Sequence, residues 1–315
     1  MELVTFEAQG RRRVGALLGG SGWVVDMAAA ARRLARVSRR ASPLARISDM
    51  VALLDLGAPG MAAAQEVVKA VAGGLERDGR AALRGIAFTR ERVVLRAPVP
   101  RPTKFVFCGL NYPNHAEEGG RALPTYPSLF TRFASTVIGP DDDIVKPVEV
   151  TELDYEGELA FVIGRRGRHV SVREAMDYVA GYTVINDITA REFARDPGLR
   201  LLGKNFDTFG VMGPALVTAD AVPRPDRLTL RTHVNGALRQ DTNTSNMIFG
   251  IPDLIAYLSR HWTIEPGDVV STGTPAGVGA FMQPPRFLQP GDRVRVEIEG
   301  VGSLENRIVA EPERR

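Results

Sequence analysis

This chain is almost without cysteine. Among its 315 residues only Cys108 carries a thiol. No internal disulfide can form, and a reducing, cytoplasmic compartment is expected. Cys108 stands among Phe105, Val106, Phe107 and Leu110, where a thiol reads as a small buried hydrophobe and not as a nucleophile. Long apolar runs are missing as well, since none approaches the ~20 residues that cross a bilayer. Residues 1–7 are acidic and lack an apolar core, so they do not read as a signal peptide. Lysine is scarce. Of 40 basic residues only Lys69, Lys104, Lys146 and Lys204 are lysines and 36 are arginines, a bias that fits a GC-rich genome better than a function. The run Arg32, Arg33, Arg36, Arg39, Arg40 has no interleaved aromatics. It reads as a solvated helix face, and no nucleic-acid partner is expected. What remains, 44% hydrophobic and 24% charged with a net charge of +3, is ordinary globular composition.

Turn signals divide the chain. In residues 1–100, short strands at Val4–Phe6, Val14–Leu18 and Trp23–Val25 are joined by Gly-rich turns such as 19–22, and two alanine-rich helices are expected near 27–40 and 61–76. Another short strand is expected at Arg92–Leu95. Ala97-Pro98-Val99-Pro100-Arg101-Pro102 reads as a stiff connector. It separates a small N-terminal domain, 1–100, from a larger one, 103–315. The larger part is strand-rich, with expected strands at 104–109, 159–164, 182–187, 228–234, 268–272 and 293–299. Helices are expected at 170–178 and 252–258, and 311–315 reads as a frayed tail.

The strongest chemical signal is three carboxylates on two strand-like segments. Glu156 and Glu158 lie in Asp154-Tyr155-Glu156-Gly157-Glu158-Leu159, and Asp187 closes Tyr182-Thr183-Val184-Ile185-Asn186-Asp187. Residues two apart on a strand share a face, so the two glutamates project together. Charges at the edge of a core need a partner. A hard divalent cation is the partner that suits several carboxylates without thiol or imidazole. The pattern implies a metal-dependent enzyme. Lys204, in Gly203-Lys204-Asn205-Phe206-Asp207, is placed to help with an anionic substrate.

Three further segments could carry chemistry. In Gly109-Leu110-Asn111-Tyr112-Pro113-Asn114-His115, a strand ends in a turn and a helix is expected to start with Asn114 as its cap. His115 and Glu118 are three apart, hence on one helical face. A carboxylate that fixes the imidazole tautomer makes such a pair a general base near neutral pH. Thr272-Gly273-Thr274-Pro275-Ala276-Gly277-Val278-Gly279 offers successive N–H groups and hydroxyls to a carboxylate, and lacks the Gly-Lys-Ser/Thr ending of a phosphate loop. Asn235-Gly236 predicts a hairpin whose returning strand carries Gln240, able to donate to a substrate oxygen.

In this order the segments resemble the fumarylacetoacetate hydrolase family, over residues 103 to about 308. The shared stretches also include Met247-Ile248-Phe249 and Pro266-Gly267-Asp268. The resemblance implies an α+β fold, mainly β: a catalytic β-roll of twisted sheets, usually in a homodimer, behind a small N-terminal α+β domain. It implies Mg²⁺ or Mn²⁺ (Ca²⁺ could replace them in crystals) on Glu156, Glu158 and Asp187, a His115–Glu118 dyad, and substrate contacts from Lys204, Gln240 and Thr274. Asn111, Tyr112, Thr272 and Gly273 join the expected substrate-binding set. So does Arg132, which stands in Phe130-Thr131-Arg132-Phe133 where many members have Phe-x-Lys-Pro; its planar fork changes the contact geometry.

The expected activity is hydrolysis of a carbon–carbon bond in a small anionic substrate, an acylpyruvate-like or 1,3-dicarbonyl acid. The metal would stabilise the enolate and the dyad would activate water. The same site suits an isomerase or tautomerase, or a decarboxylase, of a 2-oxo or hydroxymuconate-type dicarboxylate. A non-catalytic paralogue that only binds ligand is the remaining alternative. Residues 111–125, with Gly119-Gly120, could close as a lid.

Overall fold

The computed structural model describes residues 1–312 except Ser21 and Pro197. The turn expected at 19–22 is thus described only around Ser21, and the last three residues of the expected tail lie outside the described residues. The chain starts with an antiparallel meander: β1 (Glu2–Ala8), β2 (Arg11–Leu18) and β3 (Trp23–Asp26). Asp26 ends the meander and caps α1 (Met27–Ser38) by accepting from Ala29 N. After a second long helix, α2 (Gly57–Asp78), the chain reaches β4 (Phe105–Gly109), the short α3 (Pro113–Glu118) and β5 (Ser128–Thr131). The centre is β6 (Gly157–Ile163) paired with β7 (Val179–Asp187). Two short helices, α4 (Arg191–Ala194) and α5 (Arg200–Lys204), lead to β8 (Gly210–Thr218). The hairpin β9 (Thr229–Val234) and β10 (Ala237–Asn243), the helix α6 (Ile251–His261), β11 (Val269–Ser271), β12 (Arg293–Ile298) and β13 (Gly302–Ala310) complete the chain.

The large sheet runs from the strand Ala87–Thr89 through β3, β2, β1, β8, β7, β6, β11 and β4 to β5. The second sheet has the order β10, β9, β12, β13, with Ile144–Lys146 at its edge. Alternation along β6 shows how the layers form. Ala160 and Val162 join a core with α1, α2 and β1, built from residues such as Leu3, Met27 and Val67. Leu159, Phe161 and Ile163 face the other way, into a core closed by the second sheet and α6. Both faces of β6 are therefore covered, which explains its unbroken burial. The architecture is α+β, as expected. Among the described residues no helix is long and apolar enough to cross a membrane.

Two local expectations differ from the structure. Residues 170–178 form only a single 3₁₀ turn at Ala175–Tyr178. The backbone before it is tied to α6 instead: His169 N donates to Ser259 O and Val170 N to Ser259 Oγ, both at 2.9 Å. Asn114 is not a cap. It lies inside α3, whose cap position is Tyr112 and whose first residue is Pro113. The expected boundary at 97–102 stays a proposal about how the chain divides. The ladder itself does not break there, because β1 pairs with β8 through Glu2↔Val217 and Leu3↔Leu216.

That continuity predicts a shared unfolding transition. The two tryptophans, Trp23 and Trp262, report on opposite parts of the chain. Single-tryptophan variants, Trp23→Phe and Trp262→Phe, are expected to give coincident urea midpoints by fluorescence. Leu3→Ala is expected to lower both midpoints, at a cost of about 2–5 kcal/mol for a buried leucine. Separated midpoints would show two independently folding parts.

Candidate active site

The site is built where β6 and β7 end. Glu158 shares the face of Ala160 and Val162, and Asp187 shares the face of Ile185; Ile185 is the partner of Glu158 in the ladder. Glu156 lies just outside β6, and its backbone carbonyl accepts from Asp187 N at 2.8 Å. One ligand atom from each of Glu156, Glu158 and Asp187 lies within 4.8 Å of the others, and all three side chains are buried. Gly157 makes this close pairing of glutamates on one short run workable. A Cβ there would collide with Thr232 Oγ1 and Val296 Cγ1 on the second sheet.

Each carboxylate has a different environment. Glu156 accepts from Lys204 Nζ at 3.0 Å and pairs with Arg191 Nη2 at 2.7 Å. Burial opposes its charge, but Lys204 and then Arg191 outweigh that and hold its carboxyl well below the usual range. Asp187 accepts from Lys204 Nζ at 2.5 Å and from Arg132 Nε at 2.5 Å. Burial nevertheless prevails over both cations and raises its pKa. Glu158 has no cation of its own among the described residues. It accepts from Ser271 Oγ and, at 3.0 Å, from Gly273 N. Burial, then the charges of Asp187 and Glu156, push its carboxyl well above the normal range. This uncompensated, crowded oxygen set suits a hard divalent cation, which takes carboxylate oxygens.

The expected pair of His115 and Glu118 is formed beside this acidic group. His115 Nδ1 lies 2.7 Å from Glu118 Oε1, and Glu118 Oε2 accepts from Gly277 N at 2.9 Å. Glu118 is thus clamped to the glycine-rich loop, and the imidazole is clamped to Glu118. His115 packs beside Phe281, with ring centroids 6.0 Å apart. It lies close enough to Glu156 to favour that carboxylate's charge. Together His115, Phe130, Glu156, Glu158, Lys204 and Phe281 line one cavity of about 130 Å³. Ligand pockets for drug-sized molecules run to ~300–1,000 Å³, so this one suits a small acid.

The sequence from 104 to 309 matches the profile described as fumarylacetoacetate (FAA) hydrolase, C-terminal. The chain belongs to the fumarylacetoacetate hydrolase family. An oxaloacetate tautomerase of Rattus norvegicus, named as mitochondrial, is 46% identical over 221 residues, covering 70% of this chain and 71% of that protein. The oxaloacetate tautomerase YisK of Bacillus subtilis is 45% identical over 225 residues, covering 70% and 75%. Among solved structures, a maleylpyruvate hydrolase from Sphingobium sp. SYK-6, in complex with manganese(II) ion and pyruvate, superposes with a TM-score of 0.73 at 30% identity, covering 99% of this chain and 100% of that one.

For this family member the structure sorts the expected residues by position. Glu156, Glu158, Lys204, His115 and Thr274 line the cavity, with Glu118 and Asp187 directly bonded to members of that group. The other expected contacts sit behind the wall. Asn111 donates to Phe249 O at 3.0 Å and Thr272 O at 2.8 Å, bracing a turn in which Leu110 holds a left-handed φ of 56°. Thr272 Oγ1 donates to Leu159 O at 2.8 Å. Gln240 donates to Thr274 Oγ1 and Pro275 O and accepts from Gly157 N, so its amide fixes the loop against β6. Gly273, at φ +97°, has no room for a Cβ beside Cys108 O and points its N–H at Glu158. Tyr112 is wholly buried, its hydroxyl has no hydrogen-bond partner among the described residues, and burial followed by Glu158 raises its pKa. Arg132 is buried on Asp187 and Ile188 O, with its guanidinium over Phe107. Cys108 borders the cavity as a thiol that burial and then Glu158 push up to about 12.

Arg191 and Asp154 were not among the sequence candidates for the site. Arg191 Nε donates to Asp154 Oδ2 at 2.8 Å while its Nη2 holds Glu156. Asp154 also accepts from Gly279 N at 2.8 Å and Ala280 N at 3.0 Å, and so carries the loop that bears Phe281. Their signal in the sequence was only proximity to Glu156 and Asp187.

The crowding at Glu158 makes a testable trade. Glu158→Gln removes one of three crowded charges and keeps an acceptor for Ser271 and Gly273. The metal-free variant is expected to melt a few degrees above the wild type, and Mg²⁺ or Mn²⁺ is expected to give it no further shift. Wild type is expected to gain about 2.7 kcal/mol at a hundredfold excess of metal over Kd. Calorimetry with and without EDTA measures both. A wild-type melting curve indifferent to metal would remove the cation from this site.

Proposed function

We propose that this protein is a divalent-metal-dependent tautomerase of a small 2-oxo dicarboxylate, oxaloacetate in the first place. The observation that carries this reading is the small cavity in which a clamped imidazole and an ammonium face an acidic, metal-suited floor. Carbon–carbon hydrolysis, the leading expectation from sequence, has less support. The tautomerases of R. norvegicus and B. subtilis share 45% identity or more with this chain, and an enolisation asks for less room than an acyl substrate plus water. Glu156, Glu158 and Asp187 would hold the cation, with Mg²⁺ and Mn²⁺ as the candidates. When bound, it would supply a Lewis acid for the oxygens of the 2-oxo acid.

The chain's own groups account for the proton movements. In neutral His115 the Nδ1–H donates to Glu118, which leaves Nε2 as the base. Nε2 takes a proton from C3, the electron pair moves to the C2 oxygen, and the protonated ring returns the proton to that oxygen. The substrate thus passes from keto to enol with no atom gained or lost. Lys204 has two of its three N–H donors on Glu156 and Asp187. Its third can meet the charge that develops on the C2 oxygen. Phe130, 5.1 Å below the ammonium, and Phe281 beside the imidazole limit water in the cavity. The proposal includes a homodimer, which the family resemblance supports, and a lid over 111–125, which rests on Gly119-Gly120 alone.

The test is enol–keto interconversion of oxaloacetate followed by ultraviolet absorbance, with acylpyruvate cleavage measured beside it. EDTA is expected to abolish the conversion, and Mg²⁺ or Mn²⁺ to restore it. His115→Ala is expected to lower kcat about 10²–10⁴-fold, the range for a lost acid–base group. Glu118→Gln is expected to act in the same direction and shift the pH profile. Faster cleavage of an acylpyruvate than enolisation of oxaloacetate would return the protein to the hydrolases.

A further inference from the structure

The cavity contains more cations than its own acids use. Arg191 is spent on Asp154 and Glu156, and Lys204 on Glu156 and Asp187. Two more guanidiniums line the same cavity: Arg121, just beyond α3, and Arg200, at the start of α5. Both are exposed. Among the described residues, neither side chain has an ion-pair or hydrogen-bond partner; the backbone of Arg121 donates to Ala116 O at 2.8 Å, and Arg200 begins α5. No polar contact among the described residues accounts for the position of either guanidinium. As exposed members of the lining they border its solvent side, and they come from two segments, one following His115 and the other leading to Lys204.

We infer that Arg121 and Arg200 form a subsite for the second carboxylate of the substrate, and so select 2-oxo dicarboxylates over 2-oxo monocarboxylates. This rests on the tautomerase reading above and adds to it the residues that set substrate class. The geometry of a guanidinium favours the assignment, because its planar fork matches a carboxylate with two parallel hydrogen bonds. The position favours it too. A small acid with its 2-oxo end toward Lys204 and the acidic floor has only the opening left for its far end. An acid with one carboxylate would leave both arginines idle.

The experiment measures binding and turnover of two acids by the full-length, Mg²⁺-loaded protein. Oxaloacetate carries the second carboxylate and pyruvate lacks it. Affinities come from calorimetry and enolisation from deuterium exchange at C3 followed by NMR. The preference for oxaloacetate over pyruvate is expected to fall about 10–100-fold in Arg200→Gln or Arg121→Gln, the range for one charge-assisted pair. It is expected to fall further in the double variant and to recover partly in Arg200→Lys and Arg121→Lys. Circular dichroism melting of each variant is expected to match wild type, since neither guanidinium is bonded among the described residues. An equal loss of affinity for both acids in the Gln variants would show long-range attraction only and overturn the subsite. An unchanged preference would overturn it as well. A wild type that binds and enolises neither acid would instead bring down the tautomerase reading, and the subsite with it. The two failures are thus told apart in the wild-type protein.

Discussion

The constraint on which this structure depends is the concentration of buried negative charge at the ends of two paired strands. Glu156, Glu158 and Asp187 are brought together by the β6–β7 ladder, and Asp154 is buried just behind them. Such a group is unstable by itself, because removing carboxylates from water is costly and crowding them adds repulsion. The surrounding chain answers with three cations placed from three directions. Arg132 arrives from just past the end of β5, Arg191 from α4 and Lys204 from α5. These partners pair with Glu156 and Asp187, and among the described residues none is in direct contact with Glu158, which feels only the field of Lys204. The imbalance leaves an oxygen set that could hold a cation in place of a side-chain partner.

A second layer fixes this first one by backbone and amide bonds. Gln240 ties β10 to the glycine-rich loop and to Gly157, and Asn111 ties the turn after β4 to the residues before α6. These amides are fully enclosed and use their donors within the protein. Their role in the structure is to hold the wall at a set distance from the floor. A misplacement of about 1 Å is enough to weaken an oriented site.

Much of this was legible in the sequence, and for identifiable reasons. The meander of residues 1–26, the helices near 27–40 and 61–76, and the apolar strands of the centre announce themselves through turn glycines and alternation. The Glu-Gly-Glu run could be read because a strand forces residues two apart onto one face. His115 and Glu118 could be paired because three residues span one helical turn. What could not be read was which polar groups face a cavity and which face the wall behind it. Asn111, Gln240 and Thr272 look alike in sequence whether they donate to a substrate or to a carbonyl oxygen, and only the packing of the second sheet against β6 decides. Arg191 was missed for a related reason. Its neighbours in space, Asp154 and Glu156, lie more than thirty positions earlier, and 36 arginines offer no way to single one out. The helix expected at 170–178 failed because Ser259, far along the chain, claims that backbone first.

The ladder from β1 to β8 carries a consequence for the evolution of this chain. Residues matching the family profile begin only at 104, yet the strand that meets β1 is the immediate neighbour of the one bearing Asp187. A shorter relative built from the profile region alone would leave part of that strand's rim bare, a template for edge-to-edge polymerisation. In this chain Glu2 and Leu3 of β1 close that stretch of the rim.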